Sequence, residues 1–233
     1  MGLFVEPQYR LVGDTGLLVE YGDTIAEEIN LKVRTMAMAL TRYLPEGVVE
    51  VIPTYRSILI PYDPAVTRPE KLRSALEKLQ NQLEEIELQP PETVRIPVCY
   101  GGELGPDIDF VAKHNNLSVD EVIDIHSRLE YRIYMIGFTP GFPYLGGLDD
   151  RLATPRLETP RTKVPAGSVG IANNQTGMYS VESPGGWRLI GRTPLTLFAP
   201  ARENPFLYRA GDRIKFVPVS REEFDHVRAK EVS

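Results

Sequence analysis

Between Gly137 and Leu195, 17 of 59 residues are Gly or Pro. No long helix survives that density, because proline removes an amide donor and glycine leaves the backbone loose. Short apolar runs remain between the turn signals, at 169–172 and 187–190, and 195–198 and 213–219 follow. Interleaved aromatic and β-branched residues argue against disorder. The pattern predicts a compact β-barrel with long loops.

The first part of the chain reads differently. Ile25, Ile29, Val33, Met36, Leu40 and Leu44 recur at steps of three or four, the apolar face of a helix. Thr24 and Glu27 have capping-box spacing at its start. A second helix from about Pro69 carries Leu72, Leu76, Leu79, Leu83 and Ile86, with Thr67 and Glu70 as its cap. Residues 9–21, interrupted by Gly13, Asp14 and Gly16, read as a hairpin or broken strand, and strands are expected at 48–52, 57–62 and 94–100. The order strand, helix, two strands, helix, strand suits a ferredoxin-like α+β domain. Gln89-Pro90-Pro91-Glu92 marks the boundary, giving an α+β domain over 1–90 and a mainly-β barrel domain over 91–233. The latter opens with a strand, helices at 107–114 and 119–128 (the second with a Ser118/Glu121 capping box) and a strand at 130–136.

Several function classes are excluded by what the chain lacks. A net charge of −6 argues against nucleic acid, which calls for a basic surface. No stretch approaches the roughly 20 apolar residues of a membrane span. Cys99 has no second cysteine to pair with, which fits a reducing cytoplasm. There is no GxxxxGK[ST] phosphate loop and no strand-linked GxGxxG. Gly167-Ser168-Val169-Gly170 is one residue short of a nucleophile elbow. His114, His126 and His226 lack metal-ligand spacing, so no metal is expected.

Positive charge gathers in one stretch. Residues 151–192 hold Arg151, Arg156, Arg161, Lys163, Arg188 and Arg192 against Glu158 and Glu182, six minus two or +4, so the rest of the chain sums to −10. Such a patch draws anions, and arginine grips carboxylate or phosphate through paired hydrogen bonds. Amide and hydroxyl groups nearby, Gln175 and Thr176 among them, suit a ligand with carbonyl and carboxylate groups. Glu182 could serve as a base or ligand anchor, or partner a neighbouring arginine. Phe138, Phe142 and Tyr144 in the 137–147 loop offer an apolar docking surface or pocket wall, or fold over the barrel core. Trp187 is expected in the core. His126, at a helix end, is a candidate ligand group whose alternative is a capping role.

The motifs converge on one family. PVCYGG at 97–102, GFTPGFPYLGG at 137–147, LATPR at 152–156, TPRTKVPAGSV at 159–169, ESPGGW at 182–187 and LIGRTP at 189–194 occur in order. Together they resemble the allophanate hydrolase subunit 1 family, which takes in the B subunit of 5-oxoprolinase, the inhibitor of a sporulation histidine kinase, and a region of fused urea amidolyases. The resemblance implies a ferredoxin-like domain followed by a cyclophilin-like barrel. It implies a cytoplasmic, non-autonomous subunit that works with the A and C subunits of 5-oxoprolinase in ATP-dependent opening of 5-oxoproline to glutamate, with the ATP site not in this chain alone. Glu182 and Lys163 are then expected as catalytic groups, and Arg161, Gln175, Thr176, Arg192 and His126 as substrate-binding ones. Alanine at Arg161 or Glu182 should lower activity and leave the fold intact. Phe138, Phe142 and Tyr144 are expected at an interface. The alternative reading is an inhibitor docked on a sensor histidine kinase, blocking autophosphorylation. Prolyl isomerase activity, suggested by the fold alone, comes third, and a role in urea or allophanate metabolism fourth.

Overall fold

The computed structural model describes residues 2–83 and 86–232. The chain divides into two compact units, Met1–Pro90 and Pro91–Ser233.

In the first unit, β1 (Leu3–Val12) and β2 (Gly16–Gly22) form a hairpin whose turn passes through Gly13 at φ +61°. Helix α1 (Glu27–Arg42) follows, then β3 (Ile52–Pro53), β4 (Ser57–Pro61) and helix α2 (Pro69–Gln80). The sheet is antiparallel throughout, in the order β1-β2-β4-β3. Ile29, Val33, Met36 and Leu40 of α1 are fully buried against Val19, Ile58 and Ile60 of the sheet and Leu72 and Leu76 of α2. Ile25 and Leu44 lie beyond the helix ends and are exposed, so the apolar face is shorter than its periodicity.

Two local expectations fail here. Neither α1 nor α2 has a side-chain cap: their N-caps are Ala26 and Arg68, and α2 starts instead on Pro69, whose fixed φ suits a first turn. The strand expected to complete this sheet after α2 belongs to the second unit. Its edge position is filled by β1, from the N-terminal side.

The second unit is mainly β. Its strands are β5 (Thr93–Tyr100), β6 (Glu130–Ile136), β7 (Pro143–Gly146), β8 (Arg161–Val164), β9 (Ser168–Ala172), β10 (Gln175–Met178), β11 (Ser183–Gly185), β12 (Arg188–Arg192) and β13 (Arg213–Pro218). Seven form one nearly closed, barrel-like sheet in the order β10-β9-β12-β5-β13-β6-β7, with β10 approaching β7 at the seam. Only β5 and β13 pair parallel among the described residues. β8 and β11 form a separate two-stranded ribbon. Helices α3 (Ile108–His114), α4 (Val119–Arg128) and α5 (Arg221–Val232) complete the unit. The Ser118/Glu121 capping box is present at α4. Residues 195–198, expected as a strand, make only an isolated bridge between Phe198 and Phe206.

Candidate functional site

The loop between β6 and β7 creates a concavity by turning one phenylalanine in and another out. Its backbone closes on itself: the Gly137 amide donates to Phe142 O at 3.0 Å and the Phe142 amide to Thr139 O at 3.1 Å. The Tyr208 hydroxyl donates to Gly141 O at 2.7 Å, which fixes the loop to the barrel. Phe142 is thereby buried, while Phe138 stays 68% exposed at φ +66°. A bulky residue in the left-handed region is strained, and such strain concentrates at ligand and active sites.

Phe142 is the hub of an aromatic cluster. It meets Phe138, Tyr144, Tyr179 and Trp187 edge to face, with centroids 5.7, 5.2, 5.7 and 5.6 Å away. With Arg156, Gln175 and the Gly185–Gly186 backbone, these rings line a cavity of about 200 Å³. Pockets for drug-sized ligands run from about 300 to 1,000 Å³, so the size of this one suits a small ring compound. A wider concavity of about 410 Å³ borders Asn204–Arg209, but its cation, Arg209, is already paired with Glu92 and Asp212.

Two glycines let the walls close. A Cβ on Gly177 would lie 3.1 Å from the Phe142 ring and 3.2 Å from the Trp187 indole. On Gly185 it would strike the Tyr179 phenol, 2.7 Å from Cζ. Burial pushes the Tyr179 pKa up, against the pull of the Trp187 backbone amide, Arg156 and Arg161. Burial raises Tyr144 as well, with Arg156 opposing. Both phenols therefore keep their protons at neutral pH.

The expected cationic cluster does not converge. Arg161 donates to Asp107 Oδ1 at 2.9 Å and to Trp187 O at 3.4 Å. Lys163 pairs with Glu182 at 3.1 Å across the β8–β11 ribbon, both side chains more than half exposed. Arg192 is half-buried and donates to Ala166 O at 2.8 Å; burial, then the nearby Arg228, lowers its pKa. Arg151 is held by Asp149, and Arg188 stacks 3.6 Å over the Phe110 ring. Gln175 does line the cavity, as do Phe138, Phe142 and Tyr144.

His126 and Thr176 are placed away from any ligand-facing surface. Both are buried inside the barrel. Thr176 has one hydroxyl hydrogen, which goes to Gly170 O at 3.1 Å. Its oxygen therefore accepts from His126 Nε2 at 2.8 Å, leaving Nδ1 to accept from the Tyr100 hydroxyl at 2.8 Å. The imidazole stacks on Phe216, centroids 4.5 Å apart, and burial lowers its pKa to about 3. This is a satisfied polar chain in an apolar core. A helix-end position in sequence does not reveal that the helix end is covered.

Arg156, Tyr179 and Trp187 complete the site, and sequence reasoning does not place them there. Trp187 is indeed largely buried, at 8% exposure, yet one side of it forms the cavity wall. Arg156 is exposed and has no carboxylate partner among the described residues. Its signal lies within the basic stretch, but position alone cannot separate it from five cations that find partners elsewhere.

The site is thus an aromatic cavity set on a mainly-β barrel and lined by one guanidinium that has no carboxylate partner among the described residues. The chain belongs to the family described as carboxyltransferase domain, subdomain C and D, which matches residues 7–208, and the kinship read from its motifs holds. It is 44% identical over 230 residues to the 5-oxoprolinase B subunit of Bacillus subtilis (strain 168), covering 94% of this chain and 96% of that one. Among solved structures, the uncharacterised protein PH0987 of Pyrococcus horikoshii is 51% identical over 93% of this chain and all of its own, with a TM-score of 0.56. TTHA0988 is 38% identical over 88% of this chain and 39% of its own, with a TM-score of 0.78.

Proposed function

We propose that this chain is the B subunit of an ATP-dependent 5-oxoprolinase and works with the A and C subunits of that enzyme. The 44% identity along nearly the full length of a protein named as the B subunit of 5-oxoprolinase carries this reading. In the reaction the lactam C–N bond breaks, one water supplies hydroxyl to the acyl carbon and hydrogen to the amine, and L-glutamate results. ATP and a second water become ADP and phosphate. Amide resonance makes the opening costly, and phosphorylation of the carbonyl oxygen is a chemically sensible activation. ATP is assigned to another part of the complex: the chain has no phosphate loop.

The sheet order β1-β2-β4-β3 under two helices supports a ferredoxin-like reading of the first unit, with its edge strand supplied from the N-terminal side. The nearly closed sheet supports a cyclophilin-like reading of the second. Among the described residues no helix is long and apolar enough to cross a membrane; the cytoplasmic location is proposed from the reaction's use of ATP. Lys163 and Glu182, exposed as a pair, are the charged groups this chain would contribute to a site shared with a partner.

The test is reconstitution. The three purified subunits are mixed with ATP and 5-oxo-L-proline, and glutamate is measured. Glutamate should form with all three and fail to form when this chain is omitted. A full rate without it removes the chain from the reaction.

A further inference from the structure

We propose that the Phe142-centred cavity is a binding site for a small cyclic amide bearing a carboxylate, with Arg156 holding the carboxylate and the Tyr179 hydroxyl donating to the ring carbonyl. The choice of 5-oxoproline as its occupant rests on the function proposed above; the chemistry of the cavity does not.

Three features of the cavity match three features of such a ligand. A flat five-membered ring needs apolar cover, and Phe142 and Trp187 supply aromatic walls. A carboxylate needs a cation that is not already spent. Of the six basic residues in the 151–192 stretch, Arg156 lines the cavity and has no carboxylate partner among the described residues, whereas Arg151, Arg161 and Lys163 are in ion pairs. Its planar fork matches a carboxylate in geometry. A carbonyl oxygen needs a donor held in place. Among the described residues the Tyr179 hydroxyl has no acceptor for its proton, and Gly185 leaves the space that its phenol occupies.

Position and protonation agree. The Tyr179 ring packs edge to face against both Phe142 and Trp187, with centroids 5.7 and 6.4 Å away, and Gly185 lies against its phenol, so the hydroxyl has little freedom. Its raised pKa keeps the proton on the phenol at working pH. A fixed neutral donor beside a lactam oxygen becomes more effective as the amide resonance is broken and charge builds on that oxygen. Tyr179 thus favours the opening step over simple binding, while Arg156 acts mainly on binding. Phe138, strained and exposed at the cavity, is placed to cover the ring of a bound ligand.

The chain carries its own reporter, because Trp187 is its single tryptophan and forms one wall. Titrating the full chain with 5-oxo-L-proline should change Trp187 emission saturably. Arg156→Met should weaken that binding about tenfold or more, the usual scale for a hydrogen-bonded charge, and Arg156→Lys should restore part of it. 2-Pyrrolidinone, which lacks the carboxylate, should bind wild type and Arg156→Met alike. In the three-subunit complex, Arg156→Met should raise KM, and Tyr179→Phe should lower kcat about tenfold to a hundredfold with little change in KM. The urea midpoint of each variant separates a lost contact from a lost fold. Saturable binding unchanged by Arg156→Met, or a complex that turns over normally in both variants, overturns the assignment and leaves the oxoprolinase reading intact. A complex that makes no glutamate, beside Arg156-dependent binding to the chain, overturns the reading and leaves the cavity assignment intact.

Discussion

The guanidinium of Arg161 lies 2.9 Å from one carboxylate oxygen of Asp107, whose other oxygen accepts the Leu189 backbone amide at 2.7 Å. The pair joins the start of α3 to β8 and β12, and Asp107 is largely buried. Removing the cation would leave a buried carboxylate with half its partners.

Arg161→Ala should therefore lower stability by about 2–4 kcal/mol, contrary to the expectation from sequence that the fold would be untouched. Urea unfolding checks this. A midpoint equal to wild type would mean that the pair contributes nothing and would make Arg161 a free cation again.

Lys163 and Glu182 should behave in the opposite way. Both are more than half exposed, and exposed pairs contribute within about 1 kcal/mol. Lys163→Gln and Glu182→Gln should leave the urea midpoint nearly unchanged while turnover in the reconstituted complex falls well below wild type. Normal turnover in both would remove the pair from any shared site.

How far the sequence can be read follows from what each signal depends on. The α4 capping box and the apolar face of α1 are local, and both are legible. The Thr24 and Thr67 caps fail because neighbouring residues, Ala26 and Arg68, are the ones that adopt the N-cap conformation, and spacing cannot see this. The exchange at the first sheet's edge, where β1 takes the place expected for β5, is a non-local choice. So is the scattering of the basic cluster: Arg161 is neutralised by a residue 54 positions away. The cavity walls are half legible, since the 137–147 loop stands out as aromatic, but Tyr179 carries no mark that separates it from an ordinary core tyrosine.

His126 should make stability fall on acidification. The unfolded chain binds the imidazole proton near the ordinary value of 6.5, while the buried, neutral ring resists it until about 3. Between those values the unfolded state holds more protons, so stability declines as pH drops, by about 1.4 kcal/mol per pH unit from this group. His126→Gln, which can still accept from Tyr100 and donate to Thr176, should flatten the pH dependence of the urea midpoint across that window. An unchanged slope would show that other groups govern acid unfolding.

Gly185→Ala tests whether the Tyr179 phenol is positioned by the absence of a side chain. The added Cβ would sit 2.7 Å from both Cε1 and Cζ of the ring, well inside van der Waals contact. The ring packs against Phe142 and Trp187, which limits how far it can swing away, so the clash should cost about 1–3 kcal/mol. The hydroxyl should also move off its line to the cavity. The expected result is a lower urea midpoint together with a kcat loss in the complex at least as large as that of Tyr179→Phe, because a displaced phenol both withdraws the donor and intrudes on the space left for the ring. If Gly185→Ala is destabilised yet turns over like wild type, the hydroxyl's position does not matter to the reaction. Wild-type turnover would then leave Tyr179 as a packing residue and Arg156 as the cavity's charged anchor.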